Sequence, residues 1–499
     1  MKNFKLYAMG LAMAGALSFT SCADDYLETA PTDAVSNVTI AQNMESLYLG
    51  LNGIHRQMIS QESGYQCMGG LGGMMYIMDI EADDITWLTN TWMKAAYLGW
   101  QCNTNESNGY NSVFWRLYYQ WIMNANGLLE VLENTDVAAL TGADKALYEQ
   151  IKGEALMFRA FSHFQAVQTY ADAYKAGGNN TQKGIPLRTV ENRNEKDLAR
   201  SSVEETYAFI NKDLEEACSL LEGKKISELN HWSGKSAYAI RARVAMAQHK
   251  YAEAATYAEK SIQLAEAEGG KLMDASNLMH GFADITTKTN EAMYAAMTQD
   301  DQTIYYYSFY AYMSWNYSST AIRQGVKAIN ADTYDLMSET DLRRAWWDPT
   351  GKMDVPLNTF VKTPYQNRKF TARDVSNAVG DVAFIRLSEM YLTLAEAYAR
   401  GGNTAKAQEV FTKFQITRDP AYAPSGDVIT DIMNSRRIEL WAEGLRYFDL
   451  KRLNLDLVRG RNFDKTFCTF LEKKAGEKGW TWEIPKIETD NNKLCEKNY

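Results

Sequence analysis

The chain has 499 residues, 46% hydrophobic and 12% aromatic, with 52 Lys and Arg against 62 Asp and Glu and a net charge of −10. That surplus of carboxylates argues against nucleic-acid binding, which needs clustered cations facing the phosphate backbone. After Cys22 come Cys67, Cys102, Cys218, Cys468 and Cys495. They are odd in number and widely spaced, with no C-x-x-C pair, so neither a disulfide framework nor a zinc site is signalled.

The first element is MKNFKLYAMGLAMAGALSFTSC, in which Lys2 and Lys5 precede an apolar run from Leu6 to Phe19. That run is too short to cross a bilayer, which takes about 20 residues, and reads as a secretory signal peptide. Ser21-Cys22 resembles the lipobox of bacterial lipoproteins, whose Cys is acylated and becomes the new N-terminus, although Phe19 stands where that motif usually has Leu. Ala23-Asp24-Asp25 resembles the signal that sends Bacteroidetes lipoproteins to the outer face of the outer membrane. The expected layout is a signal peptide over 1–21, lipidation at Cys22, and one body over 22–499 that no Pro/Gly/Ser-rich linker divides.

Helical signals dominate that body. In GEALMFRAFSHFQAVQTYADAY, the residues Ala155, Phe158, Ala160, Phe161 and Phe164 recur at helical spacing. Val203, Tyr207, Ile210, Leu214, Ala217 and Leu221 do the same after Ser201 or Ser202, either of which suits an N-cap. Next come two Ala-rich helices meeting at His249-Lys250-Tyr251, with Ala242, Ala245, Ala254 and Ala258 where backbones must approach. A second such pair turns at Gly401-Gly402-Asn403, with Ala395, Ala397, Ala405 and Ala407 at the contact. This spacing is tetratricopeptide-like and predicts stacked helical hairpins that bury one another. Helices are expected over about 38–62, 110–172, 201–268 and 380–452, with loop-rich stretches over about 64–109 and 269–364. Loops longer than about 15 residues are uncommon unless functional, so a site is sought there.

SRRIELWAEGLRYFDLKR, from Ser435 to Arg452, resembles the C-terminal signature of the SusD/RagB family. GEALMFRAFSHFQAVQTYAD, Ile185-Pro186-Leu187, DLRRAWW, FIRLSEMYLTLAEAYARGG and the tail WEIPKIETDNNKLCEKNY are similar to further family segments in the same order. Glu483-Ile484-Pro485 departs from the usual Pro-Ile-Pro, and Cys495 replaces a usual Gln. The resemblance implies a mostly α fold, with four tetratricopeptide-like hairpins as a scaffold and irregular insertions holding the ligand. It also implies a cell-surface lipoprotein that captures an oligosaccharide for a SusC-like TonB-dependent transporter. A peptide-binding member of the same family and a surface glycoside hydrolase remain alternatives.

No motif marks catalysis. Glu439 and Glu443 lie four residues apart beside Arg436, Arg437 and Arg446, a pattern better read as helix-surface ion pairing than as an acid/base pair. His55, His163, His231, His249 and His280 show no ligand spacing, and Gly234-Lys235-Ser236 lacks the upstream Gly of a phosphate-binding loop, so no metal or cofactor is expected. Asp83-Asp84 and Asp300-Asp301 sit beside aromatics and could bond sugar hydroxyls or calcium, with solvated loop positions as the default.

The aromatics are the stronger signal, because a pyranose offers C–H groups on its face and hydroxyls at its edge, which suits flat rings with polar rims. Trp87, Trp92 and Trp100 supply one group, and Tyr307, Tyr310, Tyr312, Trp315 and Tyr317 a second. These rings, with Asp83 and Asp84, form the expected ligand site; about half of the rings are expected to pack inward. Trp87, Trp92, Tyr312 and Trp315 are expected to be exposed, since they neighbour Thr, Asn and Ser.

Overall fold

The computed structural model describes residues 43–61, 68–87, 98–299, 308–466 and 468–499. The N-terminal half runs α1 (Met44–Gln57), α2 (Gly70–Glu81), β1 (Ile85–Trp87), α3 (Gly109–Glu133), α4 (Gly142–Tyr170), β2 (Lys183–Pro186), β3 (Arg200–Ser202), α5 (Val203–Leu221), α6 (Gly234–Ala247) and α7 (Tyr251–Ala267). The rest runs β4 (Ala292–Ala296), α8 (Phe309–Met313), β5 (Lys327–Ile329), β6 (Trp347–Asp348), β7 (Gln366–Asn367), β8 (Val382–Arg386), α9 (Leu387–Arg400), α10 (Thr404–Gln415), α11 (Val428–Glu439) and α12 (Arg446–Arg452). The fold is mostly α. Helices pack in succession, α3 on α4, α4 on α5, α6 on α7, α7 on α9 and α9 on α10.

Local chemistry explains the hairpins. Ser202 opens α5 with a capping box shared with Glu205, which satisfies two N–H groups that the first turn leaves free. Between α6 and α7 the chain reverses through His249 at φ 58°, and the Lys250 N–H donates to the Ala245 carbonyl at 2.9 Å. Ala242, Ala245, Ala254 and Ala258 are all buried there, so the two backbones can approach closely. Between α9 and α10, Gly402 takes φ 87° and the Asn403 side chain caps α10. Ala395, Ala397 and Ala407 face that contact, but Ala405 is exposed, because it lies on the outer side of the first turn.

Two small antiparallel sheets carry the irregular part. One has the strand order β1-β5-β7-β6, with Ile85 opposite Ile329 and Trp87 opposite Lys327. The other pairs β4 with β8, with Tyr294 opposite Ile385.

The stretch 64–109, expected to be loop, instead contains α2, every residue of which is buried. GLGGMMYIMDIE has no polar face, so it shows none of the periodicity that betrays a surface helix; a helix apolar all round belongs inside. Its glycines admit close neighbours, since a Cβ on Gly72 would stand 3.3 Å from Phe309 Cβ. In the turn before α12, Gly444 has φ 80° and a Cβ there would come within 2.7 Å of the α2 backbone at Met75. Asp79 of α2 accepts hydrogen bonds from the N–H groups of Gly444 and Arg446, both at 3.0 Å. Burial pushes the Asp79 carboxyl up to about 7 in spite of those bonds.

Gly444→Ala should therefore destabilise the fold by more than the about 1–3 kcal/mol of backbone strain alone. Gly402→Ala carries similar strain with open space around it, and serves as the control in guanidinium unfolding. Equal losses would mean that contact with α2 is unimportant.

Candidate functional site

The acidic pair proposed for the ligand is structural. Asp83 accepts from Arg446 at 2.7 and 2.9 Å, and Asp84 from Arg437 at 2.7 Å and Thr333 at 2.7 Å. Both carboxylates are buried. Burial would raise the Asp83 carboxyl, but Arg446 and Arg437 outweigh it and hold it below the usual range. The pair thus clamps the end of α2 to α11 and α12, and neither solvated loop oxygens nor a sugar-facing edge describes it.

Glu439 and Glu443 are ion-paired as expected, but with other partners. Helix α11 ends at Glu439, and the chain then turns through Ala442 at φ 64°, so the two glutamates share no helical face. Glu439 meets Arg386 at 2.9 Å, Arg418 at 3.1 Å and Arg343 at 3.3 Å, all buried. Glu443 meets Arg386 at 2.6 Å and Lys369 at 2.7 Å, while Glu291 bonds Arg386 at 2.7 Å and Arg418 at 3.1 Å. Burial opposes ionisation of Glu439, yet the three guanidiniums hold its carboxyl well below the usual range. Arg436 pairs instead with Asp449 at 2.7 Å.

Most of the predicted rings turn inward. Trp87 and Tyr312, expected to be exposed, are 1% and 2% exposed. The Lys327 ammonium lies 4.3 Å from the Trp87 ring and 5.6 Å from the Tyr312 ring, and burial pushes its pKa down to about 7. Tyr312 stacks on Tyr76 of α2 at 5.6 Å. Trp100 donates to the Glu81 carbonyl at 2.8 Å and packs edge-on against Trp480, Phe470 and Tyr447. Tyr310 donates to the Asp381 carbonyl at 2.9 Å, and Tyr317 is buried. Among the polar neighbours that suggested exposure, Ser314 is bonded to main chain instead, donating to the Tyr310 carbonyl at 2.6 Å. Trp92, Tyr307, Asp300, Asp301 and Cys22 lie outside the described residues.

Trp315 alone among the described candidate rings is half-buried. Its main-chain N–H donates to the Phe370 carbonyl at 3.1 Å and its indole N–H to Thr371 Oγ1 at 2.8 Å. Asn316 exchanges two bonds with Ala372, each 2.8 Å, and the Ser318 N–H reaches the Val375 carbonyl at 2.8 Å. The exposed Arg368 guanidinium lies 6.0 Å from the Trp315 ring centre. A flat ring with hydroxyl, amide and guanidinium groups about it is therefore held on a loop laced to its neighbour. Asn316, Arg368 and Thr371 were not singled out from sequence, since only the fold brings residues 368–371 beside Trp315. A separate cleft of about 730 Å³ is lined by Tyr174, His249, Lys451, Trp480, Thr481 and Tyr499, none of them a predicted site residue.

Two family models match in tandem, one described as starch-binding and associating with the outer membrane over residues 25–246, the other as the SusD family over 266–499. The chain belongs to the SusD/RagB family. Among solved structures, a SusD superfamily protein from Bacteroides thetaiotaomicron is 20% identical with a TM-score of 0.78, covering 92% of this chain and 100% of that one. A SusD-like carbohydrate binding protein from Bacteroides vulgatus is 21% identical with a TM-score of 0.75, covering 91% and 97%. A laminarin binding SusD-like protein is 20% identical with a TM-score of 0.69, covering 91% and 99%. No curated protein matches the chain significantly. At these identities the structural likenesses establish the fold.

Replacing the rings should separate two classes. Tyr312→Ala removes a buried aromatic and should lose about 3–5 kcal/mol of stability, whereas Trp315→Ala should lose much less. Urea unfolding of both variants checks this, and a loss at Trp315 as large as that at Tyr312 would make Trp315 a core ring.

Proposed function

We propose that this SusD-family protein is a cell-surface binder that captures an oligosaccharide and delivers it to a SusC-like TonB-dependent transporter, with lipid on Cys22 holding it to the outer membrane. The observation that carries the reading is the half-buried Trp315 ring, with Thr371, Asn316 and Arg368 around it. A pyranose face laid on that indole would leave water at about 25 cal/mol per Å² of apolar area, while its equatorial hydroxyls would meet the polar rim. Trp92 and Tyr307 are proposed as further platforms. Trp87, Trp100, Tyr310, Tyr312 and Tyr317 are buried and serve packing, and Asp83 and Asp84 serve ion pairs with Arg446 and Arg437.

The carbohydrate-binding and laminarin-binding relatives of the same fold support a glycan as the ligand class. The reading assigns no catalysis, since a glycoside hydrolase needs two carboxylates about 5–9.5 Å apart across an open cleft. Glu439 and Glu443, read from sequence as ion-paired, are engaged by buried cations.

Isothermal titration against a panel of oligosaccharides, with peptides alongside, tests the ligand class. The expected result is binding of at least one glycan, weakened in Trp315→Ala by roughly fivefold to 150-fold, the effect of losing about 1–3 kcal/mol of stacking per ring. Binding of peptides alone would overturn the ligand class, and unchanged glycan affinity in Trp315→Ala would move the site away from Trp315. Cys22→Ala should yield a folded periplasmic protein lost from the cell surface, as fractionation would show. A variant still bound to the outer membrane would mean that protein contacts, not lipid, hold it there.

A further inference from the structure

We propose that His55, Glu154 and His231 form a binding site for one divalent ion of the zinc class, built into the helical scaffold and independent of the glycan surface. The three residues are buried, and a ligand atom from each lies within 4.8 Å of the others. His55 comes from the last turn of α1, Glu154 from the middle of α4 and His231 from the segment before α6. Sequence separations of 99 and 77 residues hide the set from any motif search.

The distances fit an ion with little movement. His55 Nε2 stands 2.7 Å from Glu154 Oε2, and His231 Nδ1 stands 3.0 Å from the same oxygen. Zinc bonds of about 2.0–2.2 Å in tetrahedral array set neighbouring ligand atoms roughly 3.3 Å apart, so each nitrogen need only draw back from the carboxylate oxygen by a few tenths of an ångström, and the two nitrogens already lie within 4.8 Å of each other. Two imidazoles and a carboxylate suit zinc, cobalt or iron, whereas calcium and magnesium select oxygen donors.

The surroundings are those of a supported ligand set. Glu154 Oε1 accepts from Gln150 at 2.9 Å and lies 3.1 Å from His231 Nδ1, while Oε2 accepts from the Trp232 main-chain N–H at 3.0 Å and faces both rings. Tyr294 places its hydroxyl 3.3 Å from His55 Nδ1, and Tyr48 places one 3.5 Å from His231 Nε2. A hydroxyl can accept as well as donate. Each imidazole can therefore carry its proton on the far nitrogen, toward a tyrosine, and offer its near nitrogen to the ion, an arrangement typical of metal-bound histidine. Tyr294 is itself fixed by stacking on Trp232 at 3.8 Å.

Hydrogen bonds alone would explain a carboxylate between two imidazoles. They do not explain the space beside it. His55, His231 and Tyr294 line a cavity of about 240 Å³, together with Asn52, Glu228 and Asn230. The buried Asn52 Oδ1 has no hydrogen-bond partner among the described residues. Three protein ligands and a water on the cavity side complete a four-coordinate ion of the open type, and Asn52 Oδ1 is available to accept from such a water.

The test is titration of the chelator-stripped full-length protein with zinc chloride and, separately, cobalt chloride, followed by calorimetry and by visible absorption of the cobalt form. One ion per chain is expected, with affinity falling at least tenfold in both His55→Gln and His231→Gln and a cobalt spectrum of low coordination number. X-ray absorption at the zinc edge of the unmutated protein should show two imidazoles and an oxygen, a readout that does not depend on the variants folding. Stoichiometric binding that persists in both variants, an absorption edge without imidazole, or no binding below millimolar zinc would each leave the cluster a hydrogen-bonded strut and overturn the proposal.

Discussion

The Glu439 carboxylate, shared among Arg343, Arg386 and Arg418 in the interior, is the interaction on which the rest of the structure turns. Four cations (Arg343, Arg386, Arg418, Lys369) and four carboxylates (Asp341, Glu291, Glu439, Glu443) join there, drawn from parts of the chain more than a hundred residues apart. A buried charge without a partner is strongly destabilising, and removing one member of a buried pair typically loses about 3–5 kcal/mol. Such a network tolerates few arrangements. It joins α11 to β8, to the residue before β4 and to the 3-10 turn before β6.

That constraint reaches the candidate glycan surface through Lys369. Its ammonium donates to the carbonyls of Glu439 and Trp441 at 2.8 and 2.9 Å and to Glu443 at 2.7 Å, and burial pushes its pKa down to about 8 although Glu443 opposes the shift. The next residue, Phe370, supplies the carbonyl that fixes Trp315, and Thr371 holds the indole N–H. The ring that faces water is thus held by the two residues that follow a side chain tied into the charged interior. Tyr310 and Tyr312, in the short helix α8 before it, and Tyr317 just after it are buried.

Helices whose apolar residues recur every three or four positions were legible in the sequence, and so were the Ser202 cap, the turn at His249 and the family signature after Ser435. These are local signals that neighbouring residues determine. Helix α2 was not legible, because a helix surrounded by protein needs no polar face. Exposure of single rings was misjudged for Trp87 and Tyr312, since Thr86 is itself buried and Ser314 bonds to the backbone, so neither marks a wet surface. The partners of Glu439 could not be read either: nearby arginines suggested contacts along one helix, while the fold supplies arginines from three other segments. The same holds for His55, Glu154 and His231, whose meeting depends on the packing of α1, α4 and the approach to α6.

The charged interior holds the Trp315 ring in place through Lys369 and the two residues after it. Lys369→Met tests it most directly, because Glu443 keeps its bonds to Arg386 and the fold should survive. Native-state hydrogen exchange should then show the Trp315 and Ser318 amides, which donate to Phe370 and Val375, exchanging at least about tenfold faster through local opening, with the α6–α7 hairpin unchanged. Unaltered exchange at those two amides in a folded Lys369→Met protein would contradict the account.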